Sequence, residues 1–399
     1  MGRQLIENLW PFFAFARLLG MFPYKRILTE DGVMELKPMA ISWKFYWGLN
    51  ACRWTLIASA ITFVNIWIFS KTTRTFDQWN QCLVDYSGGQ SVTNGFALLI
   101  LFLAVNLESI FLQRGNFKMR EKTCELSSQF KNFDSLYVDN PVWTVFGLFM
   151  ATLFTTTLYA WQIGSTYQNC LDLSLINILP LPIIFGLVYF IGSIPLLVFL
   201  SITFDHFNGL SNEIKNLTVI IGQHKLNRNA LNYVSNMIIR LEKIRSSLSY
   251  NLFCAMSCLL VEILVLSYQM SVLFFEYLKT KDWVLLLGAA INLLSAIRLL
   301  TSIWLINDRA QRVTNQVHQL KDYLQDTFIS RKTNITVRFE GQNVPVAFMR
   351  DRIVGKLGNF TGFDGEGYFV FGKSFMTAFL ALLVSYLFTL LHFRVSESH

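Results

Sequence analysis

The stretch GKSFMTAFLALLVSYLFTLLHF, Gly372–Phe393, decides how the rest of this chain is read. After Lys373 it carries no charge for about twenty residues, and at about 1.5 Å per residue that length crosses the hydrocarbon core of a bilayer. At helical spacing Tyr386, Thr389, His392 and Phe393 share roughly one face, with Leu382 a turn further back. A helix polar along one stripe and apolar elsewhere suits two roles. It can line a wet cavity, or it can be an ordinary terminal membrane helix whose Ser, Thr and His bond to neighbouring helices. The pattern alone leaves both open.

Composition agrees that a membrane is the solvent. The chain has 399 residues, 53% hydrophobic and 15% charged, with 36 phenylalanines. That is too little charge to cover a water-facing surface. The apolar residues also gather in long runs, so the expected class is an all-α, polytopic helical membrane protein. Arg3, Glu7, Arg17, Lys25 and Arg26 interrupt the N-terminal apolar residues, and no signal-peptide pattern is evident.

Residues 1–45 are amphipathic and aromatic and are expected to form a cytoplasmic, interfacial lead-in. Seven spans are expected at 46–70, 92–113, 142–163, 175–204, 250–277, 283–305 and 370–393. The first six make up a membrane region 46–305, with helical extensions in the segments 114–140 and 205–248. Pro180, Pro182 and Pro195 predict a kinked fourth span. Apolar residues at helical spacing extend the fourth and fifth spans into a stalk through 205–248. A further segment, 306–369, begins with a similar extension at 306–328. A Lys-, Asn- and Gly-rich break follows at 331–343, and then a short amphipathic helix at 344–360. The span 370–393 closes the chain.

The net charge of +8 could suggest nucleic acid, but the distribution of the basic residues explains it better as a topology signal. Of the 34 Lys and Arg, 26 lie in the N-terminus and the segments 114–140, 205–248 and 306–369, and 5 lie on the other side. Arg53, Arg298 and Lys373 fall within or at the ends of spans. The positive-inside rule therefore predicts a cytoplasmic N-terminus and, with seven crossings, an extracellular C-terminus. A G-protein-coupled receptor has the reverse orientation, and a carrier would usually show repeat symmetry, which is not evident here. The N-x-Ser/Thr sequons at Asn216, Asn334 and Asn359 all fall on the expected cytoplasmic side.

With this topology in place the chain resembles the insect gustatory receptor family, related to the insect odorant receptors. Ser385-Tyr386, five largely apolar residues and His392-Phe393 match the spacing of the family's tail motif, with Ser for Thr and His for Gln. Leu18–Pro23 resembles the family's N-terminal Leu-Gly-x-x-Pro stretch. Phe360-Thr361-Gly362-Phe363 through Tyr368-Phe369 resembles the segment before its last helix. The resemblance implies a tetrameric, tastant-gated, non-selective cation channel in the plasma membrane of sensory neurons. It would be a homotetramer or be assembled with co-receptor subunits. Residues 306–369 would form the cytoplasmic anchor, and the last helix of each subunit would line the pore. Tyr386, Thr389, His392 and Phe393 would then form the pore and gate, where a ring of Phe393 side chains can close by dewetting. An odorant receptor-type channel is the nearest alternative, and a G-protein-coupled receptor a more distant one.

Within the spans, Arg53, Glu108 and Arg298 fall in the inner third of the bilayer. They predict either a gating network or a structural pair of Glu108 with one of the arginines. Glu262 and Asn292 lie nearer mid-membrane and are ligand-site candidates. The resemblance implies a tastant pocket open to the outside, and Tyr159, Trp161, Gln162, Tyr268 and Gln269 are candidates to line it. Each taken singly reads more readily as an interfacial-belt residue. The apolar outer half favours a bitter or other apolar tastant over a sugar. Cys82 and Cys170 fall in external loops, where an oxidising exterior permits a disulfide, with two free thiols as the alternative. No enzyme motif, metal cluster or cofactor loop is found, so no enzyme activity and no cofactor are expected. The expected partners are a small-molecule tastant, permeating cations and membrane lipid, without nucleic acid.

Overall fold

The computed structural model describes residues 10–28, 34–40, 43–70, 77–78, 81–82, 100, 103–104, 107–116, 141–171, 179–223, 228–329, 336–339 and 342–397. Most of the expected second span and the segment 117–140 therefore lie outside the described residues. So do the side chain of Arg53 and the sequon at Asn334.

Helix α1 (Trp10–Leu18) opens the described chain. It ends in a two-bond cap in which Met21 N–H reaches Ala16 O (2.8 Å) and Gly20 N–H reaches Arg17 O (2.9 Å). That cap needs a left-handed residue, and Gly20 supplies it at φ 73°. The turn folds Phe22 back against Phe13, ring centroids 4.7 Å apart, and against Tyr24 at 4.8 Å. Phe13, Phe22 and Tyr24 are fully buried. Within the expected interfacial lead-in, Phe13, Phe22 and Tyr24 thus pack into the protein core, while Phe15 and Leu18 remain exposed. A β-hairpin follows, β1 (Tyr24–Leu28) paired antiparallel with β2 (Met34–Pro38).

Five helices among the described residues are long and apolar enough to cross a membrane. They are α3 (Pro141–Leu171), α4 (Pro180–Gln223), α5 (Arg228–Thr280), α6 (Trp283–Ile329) and α8 (Lys373–Glu397). Helix α2 (Trp43–Phe69) precedes them and packs on α4. Helix α4 begins at Pro180, so Pro180 and Pro182 occupy its first turn, where a missing N–H removes no helical bond. Only Pro195 interrupts the ladder.

Beyond the membrane run, α4, α5 and α6 continue as one stalk, as the sequence predicts. On α6 the fully buried positions are Ile306, Ala310, Val313, Val317, Leu320 and Leu324, alternating steps of four and three. Leu210, Ile214, Leu217 and Ile221 on α4 follow the same rule, as do Leu231, Val234, Ile238 and Leu241 on α5. This seam packs long helices side by side at shallow angles. An ion pair between Arg240 and Glu213 (2.8 Å) crosses from α5 to α4. The end of the stalk carries a second hairpin, β3 (Thr336–Phe339) with β4 (Gln342–Pro345), within the segment expected to be an irregular break. Helix α7 (Val346–Gly358) then buries Met349, Ile353 and Leu357, one every four residues, against α5 and α6.

The connection from α7 to α8 is tightly held. Asp364 accepts hydrogen bonds from Arg245 Nε (3.0 Å), Arg245 Nη2 and Ser249 Oγ (3.0 Å). Glu366 N–H donates to Ser249 Oγ (2.7 Å), and Gly372 N–H to Asn307 Oδ1 (2.8 Å). Gly362 sits at φ 120° with Phe360 and Phe363 buried on either side. The loop thus fixes the start of α8 to both α5 and α6.

Candidate functional site

Exposed tryptophans mark the bilayer. Trp143 and Trp304 stand out on the stalk side, and Trp161 and Trp283 on the far side with rings 6.4 Å apart. Along α3 the interval from Trp143 to Trp161 is about 27 Å, and along α6 that from Trp283 to Trp304 is about 32 Å. Both match a hydrocarbon core of about 30 Å. Trp161 is 57% exposed on the outer surface of the bundle, as a belt residue would be.

Helix α8 runs the same distance, from Lys373 to Phe393, with little cover. Its packed stripe is Phe375, Phe379, Leu383, Leu387 and Leu390, in steps of three and four. Phe375 and Phe379 continue a ladder of rings from Phe369 and Phe371 in the preceding loop. The stripe meets α5 chiefly and α6 slightly. The other faces are bare. Tyr386, Phe388, Thr389, His392 and Phe393 are all exposed, with Tyr386 at 54% and Phe393 at 56%. A hydrophobic helix covered on one stripe only must meet lipid, other chains or a cavity with the rest. Ser385 and Thr389 return their hydroxyls to Ala381 O and Ser385 O, which keeps these polar groups from demanding other partners.

The bundle interior holds a chain of polar and aromatic groups from four helices. The Arg298 guanidinium on α6 donates to Thr152 Oγ1 on α3 (2.8 Å) and to Tyr189 OH on α4 (3.3 Å), and lies 5.8 Å from the centre of the Tyr189 ring. The Tyr189 ring leans on Tyr159, centroids 5.4 Å apart. Arg298 also acts electrostatically on Glu262 of α5 and on Glu108 of the helical segment 107–116, whose carboxyls meet within hydrogen-bonding reach. Among the described residues no ion pair within 4 Å joins Arg298 to either carboxylate. Glu108 Oε1, Glu262 Oε1 and Arg298 Nε are buried without a hydrogen-bond partner. Charges in a bilayer are costly to hold, and these polar atoms remain available to a ligand, to water or to a rearranged partner.

The other residues singled out from sequence divide among three places. Gln162 packs where α3 meets Gly288 of α6, and a Cβ on Gly288 would meet its Nε2 at 2.4 Å. Tyr268, fully buried on α5, packs with Val265 and Val272 against Leu387, Leu390 and Leu391 of α8. Gln269 is buried beside it in sequence, and Asn292 is half-buried on α6. Thr152 and Tyr189 are the members of the Arg298 cluster that the sequence reading missed. Thr152 stands seven residues before Tyr159 on one helical face, a faint signal hidden in a run of threonines. Cys82 and Cys170 are joined by a disulfide at the far side, with their Cα atoms 5.6 Å apart. Cys254 is buried and Cys258 half-buried, both outside the disulfide.

No family model and no curated protein sequence matches the chain. The fold, however, is similar to that of the insect olfactory receptor OR5 from Machilis hrabei, with a TM-score of 0.58 and 11% identity. The structure of that receptor in complex with eugenol gives a TM-score of 0.60 at the same identity. Each alignment covers 98% of this chain and 99% of the receptor. The chain has the insect olfactory receptor fold over nearly its whole length.

Proposed function

We propose that this chain is a subunit of a ligand-gated cation channel of the insect chemoreceptor superfamily, gustatory in type. In this reading four copies assemble in the plasma membrane of a sensory neuron, and the α8 helix of each lines the pore. The observation that carries the reading is the bareness of α8. It spans the bilayer with one stripe covered, and the face bearing Tyr386, Thr389 and Phe393 is open. Four such faces around an axis would bury apolar surface between subunits and leave Thr389 towards water, with Phe393 as a hydrophobic constriction. The full-length fold match supports the superfamily, and the Ser385-Tyr386…His392-Phe393 ending supports the gustatory branch.

The remaining parts follow from this arrangement. Seven crossings, with the second in the segment 92–113, leave the N-terminus in the cytoplasm and the C-terminus outside. The basic stalk and the far-side disulfide of Cys82 and Cys170 support that orientation. The tastant is an apolar compound of the bitter class. It acts through the chain Tyr159–Tyr189–Arg298–Glu262 and through Tyr268, which shares α5 with Glu262 and belongs to the cluster packed against α8. The protein is not an enzyme. A second reading, an odorant-gated channel of the same build, is favoured by the olfactory identity of the fold neighbours.

The first test is antibody access to an epitope placed after His399, combined with calcium entry on exposure to panels of bitter compounds, sugars and volatile odorants. Staining of intact cells with calcium entry evoked by bitter compounds is the expected result. Staining only after permeabilisation, with the protein at the surface, would overturn the topology and with it the pore. Responses confined to volatiles would replace the gustatory reading with the odorant one.

A further inference from the structure

Where α4 and α6 leave the bilayer on the stalk side they part around a small pocket of about 40 Å³ that opens to solvent. Its apolar floor is Phe207 and Val313, and its walls carry Lys215, Arg309, Arg312, Asn208 and Gln316. Among the described residues no carboxylate lines it, and Asp308 pairs with Arg312 beside it. We propose that this pocket takes the phosphate-bearing headgroup of an anionic phospholipid from the adjoining leaflet, which is the cytoplasmic leaflet by the charge count.

The donor set is built in advance. Arg309 is held in place: it donates to Asn208 Oδ1 (2.5 Å) and to Thr144 Oγ1 (3.3 Å), and its guanidinium carbon lies 4.9 Å from the centre of the Phe204 ring. Asn208 thereby uses its carbonyl, and its amide nitrogen is buried with no partner. A buried amide donor without an acceptor costs free energy that an anionic oxygen would recover. Arg312 meets Asp308 through its Nε (2.9 Å), which positions its planar head on the pocket wall. Lys215 is exposed and makes no hydrogen bond or ion pair among the described residues. Two guanidiniums, an ammonium and an amide donor around one opening suit a phosphate group.

The depth selects a lipid. Trp143 and Trp304 place the edge of the hydrocarbon core. Arg309 lies five residues beyond Trp304, about 7 Å, which is within a headgroup layer about 5–8 Å thick. Arg312 lies about 12 Å beyond, within reach of a headgroup that carries further phosphates. The acyl chains of such a lipid would run up beside the exposed Trp304, as the apolar end of the site requires. Surface basic residues at this level attract anionic lipid across the leaflet, and a pocket adds orientation to that attraction. Lipid capture here depends on the bilayer level of the stalk and not on ion conduction.

The experiment is a binding titration of the purified full-length protein with dioctanoyl phosphatidylinositol bisphosphate, dioctanoyl phosphatidylserine, dioctanoyl phosphatidylcholine and inositol trisphosphate. The expected result is saturable binding of both anionic lipids and none of the phosphatidylcholine. The variant K215Q/R312Q should bind the anionic lipids about 30-fold more weakly. The charge-keeping K215R should bind them as the native chain does. Should K215Q/R312Q fail to fold, K215Q alone changes one exposed, unpaired side chain and should weaken binding about fivefold. Unaltered affinity in a folded K215Q/R312Q, or in K215Q where it alone is tested, would overturn the site, and so would equal binding of phosphatidylcholine. Inositol trisphosphate binding as tightly as the lipid would transfer the pocket to a soluble anion and overturn the lipid assignment.

Discussion

One carboxylate, Asp364, ties the loop before α8 to α5. Asp364 takes two hydrogen bonds from Arg245 and one from Ser249, and Ser249 in turn receives Glu366 N–H. The Asp364 side chain is 12% exposed and that of Arg245 33%. Asp364→Ala removes the acceptor and leaves a partly buried guanidinium and a hydroxyl without it. A fully buried pair broken in this way costs about 3–5 kcal/mol and an exposed one about 0–1 kcal/mol. With Arg245 one-third exposed, water can recover part of the loss, which sets the expectation at about 2–3 kcal/mol. The cost falls on the opening of the loop 359–372, because every bond lost ties that loop to α5. The assay is amide hydrogen exchange of that peptide in the full-length protein. Opening made easier by about 2–3 kcal/mol accelerates exchange about 30- to 150-fold. The peptides of α3 and α4 should exchange as before. Exchange of 359–372 at the native rate in a folded Asp364→Ala protein would refute the reasoning, since the buried Phe360, Phe363 and Phe371 and the bonds of Glu366 N–H and Gly372 N–H would then suffice to hold the loop.

Three further outcomes are expected. Replacing Cys82 and Cys170 by serine opens a loop of 88 residues and should lower the thermal midpoint by the equivalent of up to about 4–5 kcal/mol, while non-reducing peptide mapping of the native chain recovers the Cys82–Cys170 linkage. Arg298→Met removes the hydrogen bonds to Thr152 and Tyr189 and the cation acting on Glu108 and Glu262, and should cost about 1–3 kcal/mol in thermal unfolding; adding Glu262→Gln should restore part of it, and strict additivity of the two changes would deny the electrostatic coupling. Phe393→Ala should raise current in the absence of ligand by widening the constriction, and an unchanged basal current in patch-clamp recordings would place the gate elsewhere.

Most of the architecture is legible in the chain because a membrane helix is a local object. The charge-free run after Lys373 and the stalk's spacing from Leu210 to Ile221 and from Ile306 to Leu324 each carry their element within one stretch of sequence. Pro180 and Pro182 misled because proline reads as a kink unless the first turn of the helix is known. The N-terminal aromatics misled for a related reason. Phe13 and Phe22 look the same to a sequence whether they face lipid or protein, and only the cap at Gly20 and the packing behind it distinguish the two.

The site was legible only in pieces. The polar character of Arg298, Glu262 and Glu108 is visible from sequence, because charges inside apolar runs stand out. That Arg298 rests on Thr152 and Tyr189, that Tyr268 touches α8, and that Trp161 faces outward to the lipid belt depend on helix rotations about their axes. A rotation is set by the sum of contacts with several partners distant in sequence, so no single stretch encodes it. By itself the sequence determined the solvent, the helices, the stalk seam and the bias of basic charge. The tertiary structure decided which buried polar groups meet, where the loop before α8 is anchored, and that most of α8 is left bare, because those are properties of surfaces brought together and not of any one segment.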